Sequence, residues 1–99
     1  MNDEPTLNVI FFRTGSGHAP TQQWLRGLEK ADRKAIGEDI RLVQFRWPLG
    51  MPLVRKIEDQ LWEIRTHLSG RWIARILFSI RDNKMLLLHG FIKKSRRRI

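Results

Sequence analysis

The order of strand-like and helix-like segments in this chain predicts an α+β fold, with two N-terminal helices packed on one face of a twisted antiparallel sheet of about four strands. Two observations predict it. First, one helical stretch lies between an initial strand-like segment and three later ones. Second, the three later segments are joined to one another by only three residues each, SGR and RDN. Connections this short join antiparallel neighbours, because parallel strands need a crossover of about a dozen residues or more.

The first half of the chain supplies one strand and the helices. LNVIFFR (7–13) is rich in β-branched and aromatic side chains and precedes the turn-forming TGSGH, which is typical of a strand. From Pro20 to Phe45 apolar side chains recur every three or four residues, as one face of a helix requires. Asp32 is a candidate N-cap, which would divide this stretch into two antiparallel helices near Glu29.

The second half supplies the meander. WPLGMP ends the helical part, because Trp47 precedes a proline and the segment is dense in Pro and Gly. The strand-like segments after it are QLWEIRTHL (60–68), WIARILFSI (72–80) and KMLLLHGFI (84–92), with LVRKI (53–57) as a candidate short edge strand. Strict alternation sends Trp62 and Ile64 to one side and Glu63, Arg65 and His67 to the other, but leaves open whether Arg65 meets Arg75.

Length and composition limit the class of protein. Ninety-nine residues make one domain, and 41% hydrophobic residues are too many for a disordered chain. The absence of cysteine excludes disulfides and thiolate metal clusters, which fits a cytoplasmic protein. The acidic start MNDEPTLNVIFF has too short an apolar run for a signal peptide or a membrane-spanning helix, so no membrane partner is expected.

Positive charge is the strongest global signal. The net charge is +9, and residues 53–99 carry twelve Lys/Arg against four Asp/Glu, so nearly all of the excess lies in the second half. The chain ends with HGFIKKSRRRI, a strongly cationic tail. Such a surface predicts an anionic partner: nucleic acid, an acidic protein or a membrane surface.

Common catalytic motifs are absent. The three histidines, His18, His67 and His89, lie far apart without ligand spacing, so neither a metal nor any other cofactor is predicted. TGSG lacks the further residues of a phosphate-binding loop, and no serine lies in a nucleophile elbow.

What remains is a set of cations on the strand candidates and at the end of the last one: Arg55, Lys56, Arg65, Arg75, Lys93 and Lys94. Arginine offers a planar fork of donors matched to phosphate, and fixed cations can stabilise the dianionic phosphorane that forms when a 2′-hydroxyl attacks a phosphodiester. The competing interpretation is a solvated basic sheet face, with Glu63 paired to an arginine and His89 a satisfied, half-buried histidine.

Four segments resemble one protein family. WPLGMPLVRKI, LWEIR, the RILF strand and LLLHGFIKKS, in this order, resemble the phage-derived Gp49-like, HigB-type branch of the RelE/ParE toxin superfamily. The resemblance implies a RelE-like fold and the toxin of a type II toxin-antitoxin pair, an endoribonuclease that cuts messenger RNA in the ribosome without a metal. It also implies a cognate HigA-like antitoxin with a helix-turn-helix. The toxin would then contact operator DNA only as part of its complex with that antitoxin.

Site residues follow from the resemblance by position. Arg65 corresponds to a basic residue held against the substrate phosphate, and Arg75 to the arginine expected to stabilise the transition state. Lys94, and next to it Lys93, correspond to a C-terminal cation acting on the phosphate or the leaving oxygen. The RNA-binding positions are Arg55, Lys56, His89, Phe91, Arg96 and Arg97, of which Phe91 would stack on a base and the arginines would attract RNA.

The sequence departs from the family in two respects. It has no tyrosine, so the tyrosine that some RelE nucleases use is missing. The family pattern continues past KKS into a further helix, whereas this sequence ends at Ile99, which predicts a single RelE/HigB-like domain over residues 1–99 without that helix. Two alternatives remain open: a ParE-like toxin that inhibits DNA gyrase, and a nuclease-dead protein that only binds RNA or the antitoxin.

Overall fold

The five strands of the described residues form one mixed sheet. The computed structural model describes residues 4–94, and its elements are β1 (Asn8–Phe11), α1 (Pro20–Arg26), α2 (Lys30–Arg46), β2 (Val54–Glu58), β3 (Leu61–His67), β4 (Trp72–Arg81) and β5 (Lys84–Lys94). The strand order is β1-β5-β4-β3-β2. The α+β class and the antiparallel meander β3-β4-β5 are confirmed.

The prediction of an all-antiparallel sheet of about four strands is wrong. β1 runs parallel to β5, with Asn8 beside Lys84 and Phe11 beside Leu87. The candidate edge strand at 53–57 is confirmed as β2, which makes a fifth strand at the other edge. The backbone N–H of Asn8 donates to the carbonyl of Asn83, at 2.9 Å. This pairing joins opposite ends of the chain, so no local pattern in the sequence could report its direction.

The helices begin and end for local reasons. Pro20 occupies the first turn of α1, where a missing N–H costs nothing. The residue before α2 is Glu29, so the prediction of Asp32 as N-cap is wrong; Asp32 lies inside the first turn, where its carboxylate still favours the helix N-terminus. α2 ends at Arg46 because Trp47, next to Pro48, has left the helical region at ψ 137°.

Both helices cover one face of the sheet, which we call the inner face. Ile36, Ile40 and Val43 of α2 are buried against inner side chains of the sheet such as Ile64 and Ile76. At the end of the helix the rings of Trp47, Trp62 and Phe78 pack together, with centroids 5.2 to 5.9 Å apart. Deleting any of these rings would leave a cavity in a small core.

The short helix α1 is held by an unusual fit to β5. A Cβ atom added at Gly90 would overlap the six-membered ring of Trp24, so only glycine allows the indole to lie directly on the strand. This contact fixes α1 above β5.

Two features of the meander set which side chains face outward. Asp82 and Asn83 have φ of 52° and 63°, the left-handed geometry of a tight two-residue hairpin that twists with its strands. Further along, the register shifts: His89 pairs with Leu77 but Leu87 pairs with Phe78, which leaves Leu88 as the extra residue of a β-bulge.

Candidate functional site

Nine side chains of β3, β4 and β5 form a three-by-three array on the face of the sheet away from the helices, and we call them the outer grid. Its middle row pairs Arg65 with Arg75 and Arg75 with Phe91. Because residues two apart in a strand share a face, the flanking rows are Glu63, Leu77 and His89 on one side and His67, Ile73 and Lys93 on the other. Arg65 and Arg75 are therefore direct cross-strand neighbours, and Arg75 lies at the centre.

A carboxylate holds the two arginines together. Nη1 of Arg75 donates a hydrogen bond of 2.9 Å to Oε1 of Glu63, and Nε of Arg65 lies 4.0 Å from the same oxygen, too far for a hydrogen bond but close enough for electrostatic attraction. Glu63 is only 5% exposed. Like charges directly opposite in a sheet repel each other, so Glu63 offsets the cost of placing two arginines side by side.

The paired arginines keep donors for a ligand. Arg75 uses one terminal nitrogen for Glu63, and its second terminal nitrogen remains as a donor for an incoming anion. The Nε atoms of Arg65 and Arg75 are buried and have no hydrogen-bond partner among residues 4–94, so the donors that can meet an incoming anion are the terminal nitrogens. With one carboxylate against two guanidinium groups, the centre of the outer grid keeps a net positive charge suited to a phosphate.

Two aromatic rings extend the grid along β5. The rings of His89 and Phe91 have centroids 5.7 Å apart and are tilted by 32°. The interpretation of His89 as half-buried is wrong, because the bulge at Leu88 turns its exposed side chain to the outer face. Phe91 lies beside Arg75, so a flat apolar surface adjoins a cation, the combination that holds a base and its phosphate.

The two lysines at the end of β5 lie on opposite faces. Lys93 pairs with Ile73 and belongs to the outer grid, whereas Lys94 pairs with Trp72 and its Nζ atom lies 5.9 Å from the centre of that indole, on the inner side. The sequence analysis expected Lys94, and after it Lys93, to act on the phosphate or the leaving oxygen. The register places Lys93, and not Lys94, on the face that carries Arg75, because adjacent side chains of a strand point to opposite faces.

Residues 4–94 contain no metal-ligand cluster and no membrane-spanning helix. Within them no three His, Asp or Glu side chains cluster closely enough to hold a metal ion. Neither helix found in this range is long and apolar enough to cross a membrane.

Residues 23–98 match the model of the family described as phage derived protein Gp49-like (DUF891). The chain belongs to this Gp49-like family. The family is one of RelE/HigB-like toxins, which agrees with the resemblance noted in the sequence. No curated protein and no solved structure matches significantly.

The remaining predicted positions of this Gp49-like chain are dispersed. Arg55 of β2 pairs with Glu63 and so continues a row of the outer grid, whereas Lys56 pairs with Trp62 and projects to the inner side. Both side chains are exposed. Arg96 and Arg97 lie outside the described residues.

Sequence reasoning assigned no catalytic or RNA-binding role to two polar members of the outer grid. Glu63 was interpreted only as an ion-pair partner, and His67 was considered only as a metal ligand and rejected. The alternation in LWEIRTH already places both on the side of Arg65, and that signal could have identified them. His67 also borders a shallow pocket of about 250 Å³ shared with Arg65 and with Asp39 of α2.

Proposed function

We propose that this protein is the toxin of a type II toxin-antitoxin pair, with a RelE-like fold, and that it cuts messenger RNA on the ribosome. The observation that carries the proposal is the pair Arg65 and Arg75, side by side on an open sheet face and held by a nearly buried Glu63. Two guanidinium groups at one spot match a phosphate that gains charge during reaction. Membership of the Gp49-like family supports the toxin assignment and implies an antitoxin.

The chemistry is transesterification within the RNA strand. The 2′-oxygen bonds to the neighbouring phosphorus and its proton leaves to a base; the bond from phosphorus to the 5′-oxygen breaks, and that oxygen takes up a proton. The products are a 2′,3′-cyclic phosphate and a 5′-hydroxyl end. Arg65 and Arg75 bind the non-bridging oxygens of the phosphorane, whose charge they stabilise without a metal.

The flanking rows supply groups for proton transfer. His89 and Lys93 lie two residues to either side of Phe91, and so on opposite sides of Arg75. In-line displacement puts the attacking and leaving oxygens on opposite sides of phosphorus. His89 therefore fits the uptake of the 2′-hydroxyl proton, and Lys93 fits its return to the 5′-oxygen.

The surroundings of the grid support RNA as the substrate. Phe91 provides a ring for base stacking, and Arg55 adds an exposed cation to the same face. The chain as a whole carries +9, which favours approach to the ribosome and to messenger RNA. The same surface would attract an acidic segment of a HigA-like antitoxin, which would bring a helix-turn-helix to operator DNA.

Mapping of messenger RNA ends tests the proposal. Wild type, Arg75→Ala and the control Arg46→Ala, which removes an exposed arginine from the end of α2, would be expressed briefly and the new ends sequenced. We expect cuts within translated codons for wild type and Arg46→Ala, and about a 100- to 1,000-fold loss for Arg75→Ala, as for other single donors to a transition-state charge.

Purified components then test ribosome dependence. The same messenger RNA would be incubated with the protein with and without ribosomes, and cuts are expected only with them. Growth arrest without any cuts would reject the nuclease and direct attention to DNA gyrase. Arg75→Ala cutting as fast as wild type would reject the assigned site.

A further inference from the structure

A second polar and aromatic site lies on the inner side, where β4 begins and β5 ends. A pocket of about 270 Å³ is lined by Asp32, Leu68, Ser69, Trp72 and Ile92. Its volume is just below the range of about 300–1,000 Å³ typical of small-molecule sites, which suits a single flat group. None of these residues belongs to the outer grid.

Trp72 differs from the other three tryptophans because its side chain is exposed. The indole is 47% exposed, whereas Trp24, Trp47 and Trp62 are packed against the core. Trp72 is the first residue of β4, and its indole lies beside Gly70, where an added Cβ would come within 3.6 Å of Cδ1. A large, rigid and exposed aromatic surface is what single-stranded nucleic acid uses for stacking.

Polar groups around the indole complete a set of contacts for one nucleotide. Nζ of Lys94 lies over the indole, 5.9 Å from the ring centre, and its flexible stem lets it move from there to a phosphate attached to a base on Trp72. The carboxylate of Asp32 only accepts hydrogen bonds, so it favours a base edge that donates them. Guanine presents two adjacent donors, matching the two carboxylate oxygens, whereas uracil presents one donor between carbonyl groups.

We propose that this pocket binds one base of the RNA strand, preferentially guanine, next to the segment that lies on the outer grid. Lys93 and Lys94 are adjacent but project to opposite faces, so a strand that passes the end of β5 contacts both. The inference rests on the proposed RNA-cleaving function, to which it adds a subsite on the other side of the sheet edge.

Binding of a non-cleavable RNA tests the pocket separately from catalysis. A fluorescent 12-nucleotide 2′-O-methyl RNA would be titrated with wild type, Trp72→Leu, Lys94→Gln and the control Lys34→Gln, an exposed lysine of α2 outside the pocket. Loss of stacking should weaken binding about fivefold or more for Trp72→Leu. Lys94→Gln should also bind more weakly and show a smaller salt dependence, and Lys34→Gln should bind as wild type.

The indole signal of the wild type reports the site even if Trp72→Leu fails to fold. The Nε1–H resonance assigned with Trp72→Phe should shift on addition of the RNA, and among free mononucleotides more with GMP than with UMP. An unshifted resonance, or equal affinities of wild type and a folded Trp72→Leu, would overturn the inference. A larger shift with UMP than with GMP would overturn the guanine preference.

The binding test of the pocket and the cleavage test of the proposed function can fail independently. Ribosome-dependent cuts together with Trp72-independent binding would leave the nuclease standing and remove this subsite. A Trp72-dependent complex from a chain that cuts nothing would leave the subsite and remove the nuclease.

Discussion

Replacing Glu63 by glutamine should destabilise the protein, although the new side chain is nearly the same size. Glutamine keeps an oxygen for Arg75 but removes the negative charge between two arginines. Nη1 of Arg75 and Nε of Arg65 lie 2.9 and 4.0 Å from the same oxygen, so they are at most 6.9 Å apart. At that separation and an effective dielectric constant of about 20, two unit charges repel by about 2.4 kcal/mol.

Solvent exposure of the two arginines reduces this repulsion energy. The side chains of Arg65 and Arg75 are 24% and 19% exposed, so solvent screens part of the repulsion and about 1–2 kcal/mol remains. Exchanging a charge-assisted hydrogen bond for a neutral one adds about 1 kcal/mol. The free energy of unfolding should therefore fall by about 2–3 kcal/mol, and the Tm by about 10 °C or more.

Urea unfolding followed by tryptophan fluorescence measures the change. Glu58→Gln, at an exposed position of β2, is the matched control and should alter the free energy of unfolding by less than about 0.5 kcal/mol. Added salt should narrow the gap between Glu63→Gln and wild type, because it screens the arginines from each other. The double variant Glu63→Gln/Arg65→Gln should recover part of the loss, since one of the repelling charges is gone.

Two results would refute the reasoning. If Glu63→Gln unfolds at the same urea concentration as wild type, the carboxylate does not hold the arginines in solution. If Arg65→Gln further destabilises Glu63→Gln, repulsion between Arg65 and Arg75 is not the cause of the loss.

Three further predictions concern packing, the lysines and the hairpin. Gly90→Ala should lower the free energy of unfolding by about 1–3 kcal/mol through overpacking against Trp24, and the loss should shrink in a Trp24→Leu background, as thermal melts would show. Lys93→Gln should slow RNA cleavage at saturating RNA, whereas a defect of Lys94→Gln should be overcome by more RNA; the reverse pattern in single-turnover kinetics would contradict the register argument. Asp82→Val should cost about 1 kcal/mol or more in urea unfolding, because a β-branched residue resists the φ of 52° at this turn, and an unchanged midpoint would speak against that strain.

Parts of the fold could be predicted because their causes are local. Local signals predict α2 from apolar residues that recur every three or four positions, and its end from the nearby Pro48. The meander is likewise predicted from connections of only a few residues. The pairing of β1 with β5 was missed, since it joins segments that share no local signal. The N-cap was misplaced because Asp32 and Glu29 both suit the start of a helix.

The sequence by itself determined the composition of the candidate site: a basic second half, arginines on strands, and a family likeness that singled out Arg65 and Arg75. Only the tertiary structure decided which side chains share a face. Strict alternation would put His89 on the side of Leu87, which is fully buried, but one bulged residue at Leu88 reverses the phase of β5. That single insertion turns His89, Phe91 and Lys93 toward Arg75 and leaves Lys94 with Trp72, because the side chains of a strand change face with every residue.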